Sequence, residues 1–192
     1  FALNGISFWE EFGPSALTAK IRAEGMYNFG PSLSPNNAFY ILQGIETLSL
    51  RMKKHIENTK MMLEFLKENE SVSWLRHPDL EDHPDHKIAK KILPLGSGSI
   101  IVFGIKGGRD AGKAFIENVK LSSHLANVGD AKTLLIHPGS TTHSHLSSEA
   151  MKMSGLTDDM IRLSVGLEDI EDIKIDFEKG FKAAAKILSK RS

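Results

Sequence analysis

The chain contains no cysteine. That single absence excludes disulfides, thiolate metal sites and cysteine nucleophiles together, and it fits a reducing, cytoplasmic setting. An excess of charge is also missing. Lys+Arg number 24 and Asp+Glu number 24, so the formal net charge of the 192 residues is zero. Nothing in that balance draws the chain toward nucleic acid or an anionic membrane, and neither is expected as a partner. No apolar run approaches the roughly 18 residues that a membrane span needs. The opening stretch FALNGISFWEEFGPSA carries Glu10 and Glu11, and it lacks the basic start and apolar block of a signal peptide. It begins with Phe rather than Met, so the chain is expected to start inside a longer reading frame.

What is present is ordinary globular material. Hydrophobic residues make up 41% and charged residues 25%, enough apolar matter for a sizeable core in one domain or two small ones. Pro14 to Phe29 reads as an amphipathic helix interrupted by Gly25, and NFGPSLSPNN as a connection. Ser34 and Pro35 suit an N-cap and first helical position. From there Phe39, Leu42, Ile45, Leu48, Met52, Ile56, Met62 and Phe65 recur at helical spacing. A helix of that length predicts a bend, with Gly44 as a weak point, or a bridge between domains. Beyond Glu70 the pattern changes to short units. VSWLRH, SIIVFGIKGG, TLLIHPG and MIRLSVGL read as strands, and HKIAKKIL, DAGKAFIENV and the last two dozen residues as helices. The expectation is an α/β layer: one small sheet, much antiparallel pairing, and helices on one face.

Four features invite a chemical reading. GGRDAGKA matches most of the phosphate loop G-x-x-x-x-G-K-[ST], but Ala114 stands where the Mg²⁺-binding hydroxyl belongs, and a strand-ending turn explains the glycines as well. His77, His83 and His86 share one polar loop, and His137, His143 and His145 another. Their spacing matches no zinc motif, so hydrogen-bonded or solvated histidines are favoured over a metal site, and no metal is expected. Asn127, Gly129 and Asp130 suit a tight turn, from which Asn127 could present an amide to a ligand. Arg162 sits inside the apolar strand MIRLSVGL. Its planar fork of donors suits a carboxylate. A structural ion pair with an internal acid explains it equally well.

Two long stretches then carry a resemblance. SHLANVGDAKTLLIHPGSTTH and MIRLSVGLEDIEDI resemble the C-terminal part of the pyridoxal-phosphate enzymes of cysteine and methionine metabolism, and within that family the sulfhydrylases of O-acetylhomoserine. LSPNNAFYILQGIETLSLRMKKHIENT is similar to the family's long helix, and FGIKGGRDAGKAFIENVKL to the segment after it. The resemblance covers most of the chain and is weakest over residues 1–30 and HPDLEDHPDH. It implies the C-terminal portion of a fold type I, aspartate-aminotransferase-like enzyme. Residues 1–69 would be the end of the large domain and a bridging helix, and residues 70–192 the small C-terminal α/β domain.

The resemblance also implies roles. Arg162 falls on the arginine that binds the α-carboxylate of the amino-acid substrate. Asn127 stands where relatives such as methionine γ-lyase have a serine, so it would hold the same carboxylate by side chain or backbone. Thr141 or Thr142 would line the active-site mouth. The cofactor would be pyridoxal 5'-phosphate, and the substrates O-acetyl-L-homoserine and sulfide or a thiol. Homocysteine or methionine would form by γ-replacement in a cytoplasmic homotetramer. The Schiff-base lysine lies upstream in the family. Lys60 in NTKMM imitates its context but lies within the long helix. No catalytic residue is therefore expected in this chain, and the chain alone is expected to be inactive without the N-terminal half. Sister reactions, cystathionine γ-synthase or methionine γ-lyase, and a non-catalytic stand-alone domain are the alternatives.

Overall fold

The computed structural model describes residues 2–3, 5–138 and 153–189. The chain divides into two compact units, Phe1–Glu46 and Thr47–Ser192. The first opens with a hairpin of β1 (Ala2–Leu3) and β2 (Ile6–Ser7). A run of short helical turns follows: α1 (Phe8–Phe12), α2 (Ala16–Lys20), a π-helical turn over Ile21–Met26 that includes Gly25, and α3 (Tyr27–Phe29). Gly30, in the left-handed region at φ 53°, ends α3. Ser34 Oγ then accepts from Asn37 N, and α4 spans Pro35–Glu46. This is the cap that Ser-Pro at a helix start favours.

The long apolar pattern therefore forms two helices. α4 ends at Glu46 and α5 runs Leu48–Glu68, with Thr47 at φ −104° and ψ 4° between them. The break lies at Thr47 and not at Gly44. The sequence pattern puts a domain boundary near Glu70, whereas the unit that holds the sheet begins at Thr47. The reason is packing: α5 buries Met62, Leu63 and Leu66 in the sheet's core.

After α5 come β3 (Val72–Arg76), α6 (His86–Ile92), β4 (Ile100–Ile105), α7 (Gly108–Asn118), β5 (Ser123–His124), β6 (Leu134–Ile136), β7 (Met160–Ser164) and α8 (Ile170–Ser189). The sheet order is β3-β4-β7-β6-β5, antiparallel except for the β5–β6 pair. On one face Ile101, Phe103, Ile105, Ile161, Leu163 and Leu135 meet apolar residues of α5, α7 and α8. Phe103, Phe115, Phe177 and Phe181 form its centre, the 115–177 rings 5.3 Å apart and edge-to-face. The small mixed sheet with helices on one face is the expected architecture.

Candidate substrate-anchoring site

Arg162 stands between Ile161 and Leu163, both fully buried in the core. Successive side chains alternate across a strand, so Arg162 projects from the sheet face away from that core. Its register partners there are Val102 on β4 and Ile136 on β6. The side chain is half-buried, and one Nη donates to the backbone carbonyl of Asn127 at 3.3 Å. Among the described residues no carboxylate stands within ion-pair distance of it. A single carbonyl takes one donor of a guanidinium that has several.

The structure thus brings two of the expected residues together, but Asn127 meets Arg162 through its main chain. Its side chain is engaged in its own turn. Oδ1 accepts from Val128 N at 2.9 Å, and Nδ2 donates to Asp130 Oδ2 at 3.3 Å. Asp130 Oδ1 accepts from Lys132 N, and Gly129 takes φ 71°, the left-handed conformation that glycine adopts without strain. The Lys132 N–H is the main reason the Asp130 carboxyl lies below the usual carboxylate range; desolvation opposes it, and the Asn127 amide adds to the lowering. Thr141 and Thr142 lie outside the described residues.

Two acids that the motif reading passed over secure the ends of this loop. Asp176, nearly inaccessible on α8, accepts from Lys120 N at 2.6 Å and Ser122 N at 3.0 Å. Burial alone would raise its pKa, but the N–H groups of Ser122, Lys120 and Leu121 outweigh it and hold the carboxyl below its usual range. At the other end Glu168 accepts from Thr133 N at 2.7 Å and from Thr133 Oγ at 2.8 Å, while Thr133 Oγ accepts from Gly166 N. Asp176 had a legible signal. It lies on the apolar stripe of α8 with Ile173, Phe177 and Gly180, where an acid needs a buried partner. Glu168 had none, because its partner is distant in sequence.

The other candidates resolve into structure. Gly107 begins α7 at φ 102°, and a β-carbon there would press on Ala111 and Leu188. Gly112 packs against His137, and Lys113 lies exposed beside Glu117. This is a strand-to-helix turn whose glycines serve conformation and packing. The two His-Pro-Asp copies make the same local turn: His77 Nδ1 accepts from Asp79 N, and His83 Nδ1 from Asp85 N. Burial pushes the His77 pKa down, partly offset by Asp79. Among the described residues no His, Asp and Glu cluster could hold a metal. Lys60 is exposed on α5, lining a cleft with Glu64, Asp79, His86 and Lys90. Among the described residues, then, Arg162 keeps donors to spare on the open face of the sheet.

An α/β unit of this kind, with an arginine on the open face of a small mixed sheet, is the architecture of part of a pyridoxal-phosphate enzyme of fold type I. Residues 13–182 match the model of the Cys/Met metabolism PLP-dependent enzyme family, and the chain belongs to that family. It is 46% identical to O-acetyl-L-homoserine sulfhydrylase 1 of Thermus thermophilus, over 92% of this chain and 42% of that protein. It is 42% identical to the homocysteine synthase of Schizosaccharomyces pombe, over 94% of this chain and 42% of that protein. The chain thus spans about two fifths of the length of these relatives. A solved O-acetylhomoserine (thiol)-lyase from Campylobacter jejuni superposes with TM-score 0.78 at 31% identity, over 90% of this chain and 40% of that one. It carries an N'-pyridoxyl-lysine-5'-monophosphate. A cystathionine gamma synthase from Xanthomonas oryzae pv. oryzae superposes with TM-score 0.75 at 32% identity, over 83% of this chain and 41% of that one. The family is dependent on pyridoxal phosphate and acts in sulfur amino-acid metabolism.

Proposed function

We propose that the chain is the substrate-carboxylate half of an O-acetylhomoserine sulfhydrylase, the C-terminal part of a longer polypeptide whose remainder holds the cofactor. In the overall reaction the Cγ–O bond of O-acetyl-L-homoserine breaks and acetate leaves. A Cγ–S bond forms with sulfide, and the product is homocysteine; a simple thiol such as methanethiol would give methionine. The observation that carries this reading is Arg162, a half-buried guanidinium with one backbone carbonyl and no acid partner among the described residues. Held on a strand, it fixes one end of an amino-acid substrate and so orients the reacting bonds. The chain by itself is inactive on this reading. The whole protein is a cytoplasmic homo-oligomer, as the family resemblance implies.

The test is Arg162→Lys in the full-length protein. A point charge does not replace a planar fork, and a hydrogen bond to a charged group contributes about 1.5–3 kcal/mol. KM for O-acetyl-L-homoserine is expected to rise about 10- to 100-fold. An unchanged KM together with an unchanged kcat/KM removes the carboxylate role. The similarity to a cystathionine gamma synthase favours one second reading, in which cysteine replaces sulfide as nucleophile. Product analysis with both nucleophiles present separates the two.

A further inference from the structure

We propose that Glu168 is a positioning residue for Arg162, acting through Thr133 and the Asn127–Asp130 turn. The inference rests on the reading of Arg162 as the carboxylate anchor and adds the device that aims it. Arginine has a long, rotamer-rich side chain, so a strand position alone does not place its guanidinium. What meets that guanidinium is the carbonyl of Asn127, at the tip of the loop between β5 and β6. The side chains of Asn127 and Asp130 shape the tip, but they do not attach it to the sheet.

Attachment comes from the exit of β7. Leu167 N donates to Ala131 O at 2.8 Å, and Gly166 N to Thr133 Oγ at 2.9 Å. Glu168 then closes on Thr133 with both carboxylate oxygens, one on its N–H and one on its hydroxyl. A β-carbon at Gly166 would overlap the Glu168 carboxylate and the Thr133 N–H, so glycine is what allows this approach. The exit itself is held from α5. His55 Nδ1 lies 2.7 Å from Val165 O, and Asn58 Nδ2 donates to the carbonyls of Gly166 and Glu168 at 3.0 and 2.9 Å. The strand that carries Arg162 and the loop that receives it are therefore registered to one another by the Leu167–Ala131 and Gly166–Thr133 bonds together with the Glu168 carboxylate.

The experiment uses the full-length protein and two probes, L-norleucine and 1-pentylamine, which differ by the carboxylate alone. Equilibrium dissociation constants are measured for the wild type, Glu168→Gln, Thr133→Val, Thr133→Ser and Arg162→Leu. Glu168→Gln is expected to weaken L-norleucine binding about tenfold and to leave 1-pentylamine within about twofold. Thr133→Val should do the same, and Thr133→Ser, which keeps the hydroxyl, should restore the wild-type ratio. Weakening of both probes equally by Glu168→Gln and Thr133→Val would mean a merely structural role and overturns the proposal. If Glu168→Gln does not fold, the Thr133 pair decides in the same way. Arg162→Leu distinguishes the two levels. If it keeps the preference for L-norleucine, the anchor reading itself fails. If it abolishes that preference while Glu168→Gln and Thr133→Val keep it, only the positioning role fails.

Discussion

Arg162 and Asp176 show how differently a charge can be kept inside one small unit. Arg162 rests its aliphatic stem on the open face of the sheet and offers its head outward. Asp176 has almost no solvent at all, yet it stays ionised because backbone N–H groups point at it. The sign of its pH effect follows. Its folded pKa lies below the ordinary carboxylate range, so its contribution to stability is fully present above about pH 4. It is lost as pH falls through the folded pKa. Asp176→Asn puts an amide N–H where a second acceptor stood, leaving a buried donor against a donor. A cost of about 1–3 kcal/mol is expected near neutral pH. Urea unfolding at about pH 7 and again below about pH 3.5 checks this, and the gap between variant and wild type should shrink in acid. An equal gap at both values would mean that the carboxylate is not the group responsible.

At the scale of elements, α7 and α8 meet at Gly180 with no room for a side chain. A β-carbon there would lie 2.6 Å from Phe115 Cδ2 and 3.0 Å from its carbonyl oxygen. Helix propensity alone favours Gly180→Ala by about 1 kcal/mol. Phe115 is locked between Phe103, Phe177 and Phe181, so it cannot give way. The expected outcome is a net loss of about 1–3 kcal/mol in thermal or urea unfolding, the usual cost of overpacking; a gain would show that the helices can separate freely. This close packing was not legible in the sequence, where GF in FEKGFKAAAK reads only as a weak helix position. The strands and helices after Glu70 were legible, because alternation and 3.6-residue spacing are local signals. β5 was not, since Ser123–His124 is too short to alternate. Thr47 was hidden for a similar reason: the apolar stripe runs through it unbroken. Arg162 was legible as an arginine in an apolar strand. Its receiving carbonyl was not, because any residue has one and only the fold places that of Asn127.

The molecule as a whole poses a question of completeness. Its first unit leaves Tyr27 and Phe29 each 86% exposed and Leu17 71% exposed, a dense apolar display for so short a stretch. Its second unit carries Arg162 on the open face of the sheet, half-buried and donating to the Asn127 carbonyl. The lysine nearest in context, Lys60, lies in solvent among Glu64, Asp79 and His86. A lysine that forms a Schiff base is activated by burial or a neighbouring cation, and Lys60 is exposed. If the relatives' remaining length has its counterpart here, that part is where the lysine is expected. Borohydride reduction of the full-length protein, followed by peptide mapping, tests that directly. The pyridoxyl group is expected on one lysine outside the 192 residues, with none on Lys60. Stoichiometric label on Lys60 would place the cofactor on α5 and would require a different site from the one centred on Arg162.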